Sequence, residues 1–287
     1  MSTRLHGASG SAPPPWELSR RTLALERPLV MGILNVTPDS FSDGNRFFSN
    51  DAAVARALEL EREGADIIDI GGESTRPNAP AVSLDQELDR VVPVIEALAG
   101  KLSVPISVDT YKAEVARAAC AAGAEIVNDV SGLFFDAEMA AVVAEADAGL
   151  VVMHTRGTPD RMQQDTRYHD LVAEVKCYLL DSLAKAEAAG IKAGRIVVDP
   201  GIGFGKSVEG NLELIRRLPE LQQLGRPILV GPSRKSFIGT VTGRGSGERI
   251  FGTAAAVAVS VVNGASIVRV HDVAAMRDVA VMARALV

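Results

Sequence analysis

The chain has 287 residues, 47% hydrophobic and only 4% aromatic, with 26 glycines, which is enough apolar material for one large core or two modest ones. A formal net charge of -6 and the lack of any basic run exclude extended nucleic-acid binding, though not a local basic pocket. No apolar run reaches the length of a membrane span, and the polar, Pro-rich opening from Ser9 to Pro15 is not a signal peptide.

Residues 1 to about 20 carry small residues, prolines and one Trp before any periodicity, and are expected to be a disordered tail. After them one unit repeats: a short β-branched run ending in polar residues, then an Ala-, Leu- and Glu-rich helical stretch. Strands are expected at Leu29 to Leu34, Asp66 to Ile70, Pro105 to Val108, Glu125 to Val127, Gly149 to Met153, Ile196 to Val198, Pro227 to Val230 and Ser266 to Val270. Helices fill the gaps, among them Ala52 to Glu63, Ser83 to Leu98, Lys112 to Ala121 and Leu171 to Ala189. Eight such units predict an α/β fold, a (β/α)8 TIM barrel forming one catalytic domain over residues 21–287. The strands are continuously apolar, as expected when both faces are buried. A doubly wound sheet is the alternative; it needs fewer strands and confines the site to one switch point. Cys120 and Cys177 lie far apart in helical patterns and are expected to be thiols packed in or against the core, which suits a reducing cytoplasm.

A barrel collects its functional groups where strands end. Here strand one ends at Asn35, two at Asp69, three at Asp109 and Thr110, four at Asn128 and Asp129, five at His154 and six at Asp199. Strand seven runs into Ser233-Arg-Lys-Ser236, and strand eight contains Arg269 and ends at His271 and Asp272. After Asp199 comes Pro-Gly-Ile-Gly-Phe-Gly-Lys206, a loop whose backbone can approach a ligand closely. It is neither a P-loop, because Pro200 stands where glycine is needed, nor a dinucleotide fingerprint, because Lys206 does.

Asp109, Asn128 and Asp199 form a set of acceptors that suits a flat heterocycle with an amino-pyrimidinone edge rich in N–H donors. Singly, each could equally cap a helix or shape a turn. Lys235, Arg269 and His271, with Ser236 close by, form a donor set on the last two strands, where barrels often place a phosphate. Arg269 could instead pair with a rim acid, His271 could be a cap, and His154 reads as structural. Residues 36–46 and 73–82 are long polar loops carrying hydroxyls, acids and an Arg, able to close over a charged ligand. They are expected to be mobile in the empty enzyme. No His/Cys cluster of zinc spacing occurs, so a metal would be hard Mg2+ held partly through substrate phosphates.

Seven ordered segments now carry a resemblance: Met31-Gly-Ile-Leu-Asn-Val-Thr-Pro-Asp-Ser-Phe-Ser-Asp-Gly44, Asp69-Ile-Gly-Gly-Glu-Ser-Thr-Arg-Pro77, Ile106-Ser-Val-Asp-Thr110, Ile126-Val-Asn-Asp129, Asp199 to Lys206, Ser233-Arg-Lys-Ser-Phe-Ile-Gly239 and Val268-Arg-Val-His-Asp272. From about residue 27 onward the chain resembles the dihydropteroate synthases, the folate-pathway enzymes that sulfonamide drugs target. The resemblance implies a barrel, a homodimer, a Mg2+ cofactor, and two small-molecule substrates, p-aminobenzoate and 6-hydroxymethyl-7,8-dihydropterin diphosphate, joined with release of pyrophosphate. It implies a pterin pocket at Asp109, Asn128, Met153, Asp199, Gly231 and Lys235. A diphosphate site would form from Asn35, Thr75, Arg76, Arg269 and His271, with Asn35 on the metal. An aminobenzoate pocket would form from Phe41, Ser74, Pro77, Phe204, Lys235 and Ser236. Asp43, Lys235, Arg269 and His271 would act in catalysis. Two positions depart from the usual pattern, Asn45 and Asn78, each standing for a glycine; Asn tolerates left-handed backbone, so both turns can be kept. A pterin-dependent methyltransferase shares the pterin pocket but lacks a diphosphate cluster and uses a cobalamin partner. A non-catalytic homologue would have lost Asn35, Arg76 or Lys235, all present here.

Overall fold

The computed structural model describes residues 13–37, 46–74 (backbone alone over 46–49) and 81–287. Eight strands lie parallel: β1 (Leu29–Asn35), β2 (Ile67–Gly71), β3 (Ile106–Asp109), β4 (Ile126–Asp129), β5 (Gly149–Met153), β6 (Ile196–Asp199), β7 (Leu229–Val230) and β8 (Ile267–Val270). Their order in the sheet is β6-β5-β4-β3-β2-β1-β8-β7, and a parallel bridge between Val198 and Ile228 joins the two ends into a ring. The helices are α1 (Arg46–Arg62), α2 (Leu84–Leu98), α3 (Ala113–Ala122), α4 (Met139–Glu145), α5 (Leu171–Ala188), α6 (Val208–Arg216), α7 (Ser236–Thr242), α8 (Ile250–Val262) and α9 (Val273–Ala285). This is the (β/α)8 barrel, and the doubly wound alternative falls with ring closure. β7 is shorter than expected, with Ile228 joining only through the bridge. Two helices follow β7, the short α7 and the longer α8.

Alternation along each strand builds two cores. Val30, Ile68, Val108, Val127, Val152, Val198 and Val268 face outward against the helices. Met31, Ile67, Ile126, Val151, Val197, Leu229 and Ile267 fill the barrel interior. Caps fix where helices begin: Ser83 and Gln86 form a capping box on α2, and Asp170 and Ser207 cap α5 and α6.

The barrel floor corrects the expected extent of the tail. Trp16–Glu17 pairs antiparallel with Thr22–Leu23. Trp16 is fully buried with Leu18 and Leu25 among the interior residues, and its Nε1 donates to the Arg195 carbonyl at 2.8 Å. β5 starts with Gly149 because a Cβ there would run into Leu18 and lie 3.2 Å from Trp16 Nε1. The plug therefore substitutes for side chains that a longer strand would have supplied. Trp16→Ala is expected to cost about 3–5 kcal/mol through lost apolar area and a cavity. Urea denaturation followed by circular dichroism checks this; an unchanged midpoint would mean the plug is frayed in solution.

The thiols divide. Cys120 is partly buried against the core, where burial pushes its pKa up to about 11. Cys177 is exposed, contrary to expectation, because the buried stripe of α5 runs through Leu171, Val175, Leu179 and Leu183 and leaves residue 177 outside it.

Candidate active site

The same alternation that fills the barrel supplies its mouth. Two residues beyond Ile67, Ile126, Val151, Val197 and Ile267, the inward face carries Asp69, Asn128, Met153, Asp199 and Arg269. Arg269 donates from Nε to Asp69 Oδ2 and from Nη2 to Asp109 Oδ2, both at 2.6 Å. Asn128 Nδ2 donates to the same Asp69 oxygen at 3.1 Å. The sequence expectation placed Arg269 on a phosphate or on a rim acid; here it binds two rim acids. Among the described residues, Asp109 Oδ1 and Asp69 Oδ1 are buried with no protein partner. Buried acceptors left open in this way suit a ligand that brings N–H groups.

Burial dominates the electrostatics. It pushes the Asp109 carboxyl up to about 7, with Arg269 opposing and Asp69 adding. It pushes Asp199 up to about 6, opposed by the Gly201 N–H, which donates to Asp199 Oδ1 at 2.7 Å. It lowers the Lys235 ammonium to about 8, with Arg269 adding. Burial also opposes the charge on Arg269, but Asp69 and Asp109 outweigh it and hold the guanidinium above its ordinary value. His271 is held down to about 3 by burial and by Arg234 and Arg269, so it is neutral at pH 7. Its backbone N–H donates to Ser233 Oγ at 3.2 Å, and that oxygen lies 2.9 Å from His271 Nδ1. A hydroxyl both donates and accepts, so this contact holds the neutral ring in place in either tautomer.

The loop after β6 closes the other wall. Gly203 has φ +86°, and a Cβ there would press on Lys235 Cδ at 2.8 Å, so only glycine lets the lysine lie across the loop. Lys235 Nζ sits 4.0 Å from the Phe204 ring centroid, a cation–π contact. Phe204 packs with Val130, Met153 and Met162 in a small cluster of its own. Lys235 and Ser236 begin α7, aimed by Arg234, which adopts φ 57°. That conformation is costly outside glycine and is held by bonds from Arg234 to both Asp272 oxygens, at 3.1 and 2.5 Å. Gly231 lies beside Arg269, where a Cβ would make only ordinary contact at 3.7 Å.

Asn35 ends β1 and faces Asp109 across Gly71. A Cβ on that glycine would lie 3.9 Å from Asn35 Oδ1 and 3.6 Å from Asp109 Oδ2. Among the described residues no group of three His, Cys, Asp or Glu could hold a metal ion. The Asn35 carbonyl nevertheless fits a hard cation that brings most of its oxygen ligands on a phosphate. Phe41, Asp43, Thr75, Arg76 and Pro77, and the departures Asn45 and Asn78, lie outside the described residues; Ser74 stands at their edge. Three residues of the site had no role assigned from sequence: Asp69, Ser233 and Lys206, whose partner His154 was read as structural. Asp69 was findable, since it shares inward parity with Ile67. Ser233 contacts His271 across the fold, and Lys206 joins its own loop to His154 on another strand end.

The comparisons agree with this geometry. A family model described as pterin binding enzyme matches residues 31–271. The dihydropteroate synthase of Synechocystis is 49% identical over 276 residues, 96% of each chain. That of Escherichia coli K12 is 48% identical over 254 residues, 88% of this chain and 89% of its own. The crystal structure of Xanthomonas albilineans dihydropteroate synthase with 4-aminobenzoic acid superposes with a TM-score of 0.89 at 47% identity, covering 96% of this chain and 98% of that one. With a closed barrel, an acid and amide mouth and relatives matched along nearly their whole length, the chain belongs to the pterin-binding enzymes, among the dihydropteroate synthases.

Proposed function

We infer that this chain joins p-aminobenzoate to 6-hydroxymethyl-7,8-dihydropterin diphosphate, giving 7,8-dihydropteroate and pyrophosphate. The observation that carries the reading is the convergence of Asp109, Asn128 and Asp199 with Lys235 and Arg269 at one mouth. The acceptors take the N–H groups of the aminopyrimidinone edge, with Met153 and Gly231 beside the ring. Asn35, Arg269 and the neutral His271 take the diphosphate, joined by Thr75 and Arg76. Phe204, Lys235 and Ser236 hold the arylamine, with Phe41, Ser74 and Pro77. The pterin C–O bond breaks first, its electron pair leaving with the diphosphate, and the ring shares the positive charge left on the methylene. Buried acids around the ring favour that charge, and the cations favour the leaving group. The arylamine lone pair then forms the C–N bond and a proton leaves the nitrogen. The amine is already neutral at pH 7, so no strong general base is needed; Asp43 completes the proposed catalytic set with Lys235, Arg269 and His271. Asn35 is the described residue that would hold Mg2+, and the ion when bound neutralises charge on the diphosphate. Pyrophosphate release tests the reading: it requires both substrates, and no release with both present refutes it.

The charges at the mouth set a pH window. As pH falls, Asp109 takes up a proton near 7 and Asp199 near 6, and each then stops accepting from the ring. Above about 8 Lys235 loses its charge. Pterin affinity is therefore expected to peak between about 7 and 8 when measured by calorimetry across acidic to alkaline buffers. A flat profile removes these groups from the pocket.

The assembly is a homodimer in this reading. Val241, Phe251, Val259 and Val262 present apolar surface on α7 and α8, and Phe251 is 85% exposed. A second copy of the chain is the occupant that a closed symmetric interface requires. Phe251→Glu is expected to shift the sedimenting species to the monomer. Among the described residues no helix is long and apolar enough to cross a membrane, and Cys120 and Cys177 are free.

A further inference from the structure

Behind the glycine loop sits a cation that the proposed chemistry does not use. Lys206 is 3% exposed. Its Nζ donates to the carbonyls of Gly201 at 2.9 Å and Phe204 at 2.8 Å, and lies 2.8 Å from His154 Nδ1. An ammonium has three N–H groups and no acceptor, so these three partners match it completely. His154 suits the third place: burial and Lys206 itself lower its pKa to about 2, leaving the ring neutral with Nδ1 free to accept. Burial also draws the Lys206 pKa well below its ordinary value, while Asp199 favours its charge.

The rest of the loop is held by other side chains. Gln163 Nε2 donates to the Gly203 carbonyl and the Tyr168 hydroxyl to the Gly205 carbonyl, both at 2.8 Å. The Gly203 N–H donates to Asn211 Oδ1 at 2.5 Å. Lys206 therefore acts on the loop at two carbonyls, those of Gly201 and Phe204, and the second belongs to the residue whose ring lies under Lys235.

We propose that Lys206, seated on neutral His154, is a positioning residue for the arylamine pocket, setting the Phe204 ring through the carbonyl of that residue. The proposal rests on the reading of Phe204 as a wall of that pocket. It separates two parts of the loop: Asp199 serves the pterin, and Lys206 serves the second substrate without touching it.

The test is a double-mutant cycle on steady-state constants. Lys206→Met keeps the chain length and removes the donors. It is expected to raise KM for p-aminobenzoate about tenfold, below the loss that a full 1 Å misplacement can cause, with the pterin diphosphate KM nearly unchanged. Because Lys206 acts through Phe204, Lys206→Met combined with Phe204→Leu is expected to be no worse for the arylamine than Phe204→Leu alone. Multiplying effects, or a pterin KM that rises as much as the arylamine KM, overturn the proposal. If Phe204→Leu by itself leaves the arylamine KM unchanged, the pocket reading fails and this proposal falls with it. Should Lys206→Met not fold, His154→Leu enters the same cycle, removing one acceptor and leaving the lysine. It is expected to give a smaller arylamine-selective rise that Phe204→Leu likewise masks, and a rise absent or equal for both substrates overturns the proposal.

Discussion

Replacing Arg269 by Ala is expected to destabilise the empty enzyme by about 3–5 kcal/mol, the usual cost of removing one partner from a buried ion pair. Arg269 holds Asp69, which is fully buried, and Asp109, which is nearly so, and no other cation contacts either acid within bonding distance among the described residues. Truncation leaves two carboxylates facing each other with Asn128 as the remaining donor. The sign with pH follows. Burial already raises the Asp109 carboxyl to about 7, and losing Arg269 raises it further, so the penalty is full above the variant's value and fades as pH falls toward about 7, below which the acid is protonated in both proteins. Chemical denaturation of Arg269→Ala and the parent at alkaline and acid pH checks this. A constant difference between them would show that the loss comes from packing. Pyrophosphate binding should also weaken, and the phosphate-free pterin with it, because Asp109 loses the group that orients it.

Asp199→Asn is expected to lower pterin affinity by about ten- to a hundredfold, from a mismatch worth about 1–3 kcal/mol. The Gly201 N–H donates to Asp199 Oδ1 at 2.7 Å. In the variant only the amide oxygen can accept that bond, so the NH2 group is forced toward the mouth. It then meets the N–H groups of the pterin donor to donor. Volume and fold are kept, so calorimetry with a pterin lacking phosphates isolates the effect. Unchanged affinity would remove Asp199 from the pterin pocket.

Much of this was legible in the chain itself, and the physical reason is periodicity. β-Branched runs such as Ile196-Val-Val198 suit strands buried on both faces, and the polar residues that follow such runs mark the mouth. The floor was not legible. Two-residue strands at Trp16 and Thr22 have no period to detect, and prolines beside them look like a tail. At the mouth, residue types pointed to their own positions but not to their partners. Arg269 and Asp69 lie 200 residues apart, and they become neighbours only when β8 and β2 pair on either side of β1. Lys206 had no signal, because a buried lysine and a solvated one are spelled alike.

The plug at the floor has an optical consequence. Trp16 is the sole tryptophan, and its indole is bonded to Arg195, four residues before Asp199 on the strand that leads to the mouth. At the rise of an extended strand that separation is about 13 Å. Native emission therefore comes from one site at the end of the barrel opposite the chemistry. A colourless ligand should leave it unaltered, and quenching on pterin binding would report energy transfer along the barrel axis. Brightness lost before secondary structure, during unfolding, would time the release of the plug.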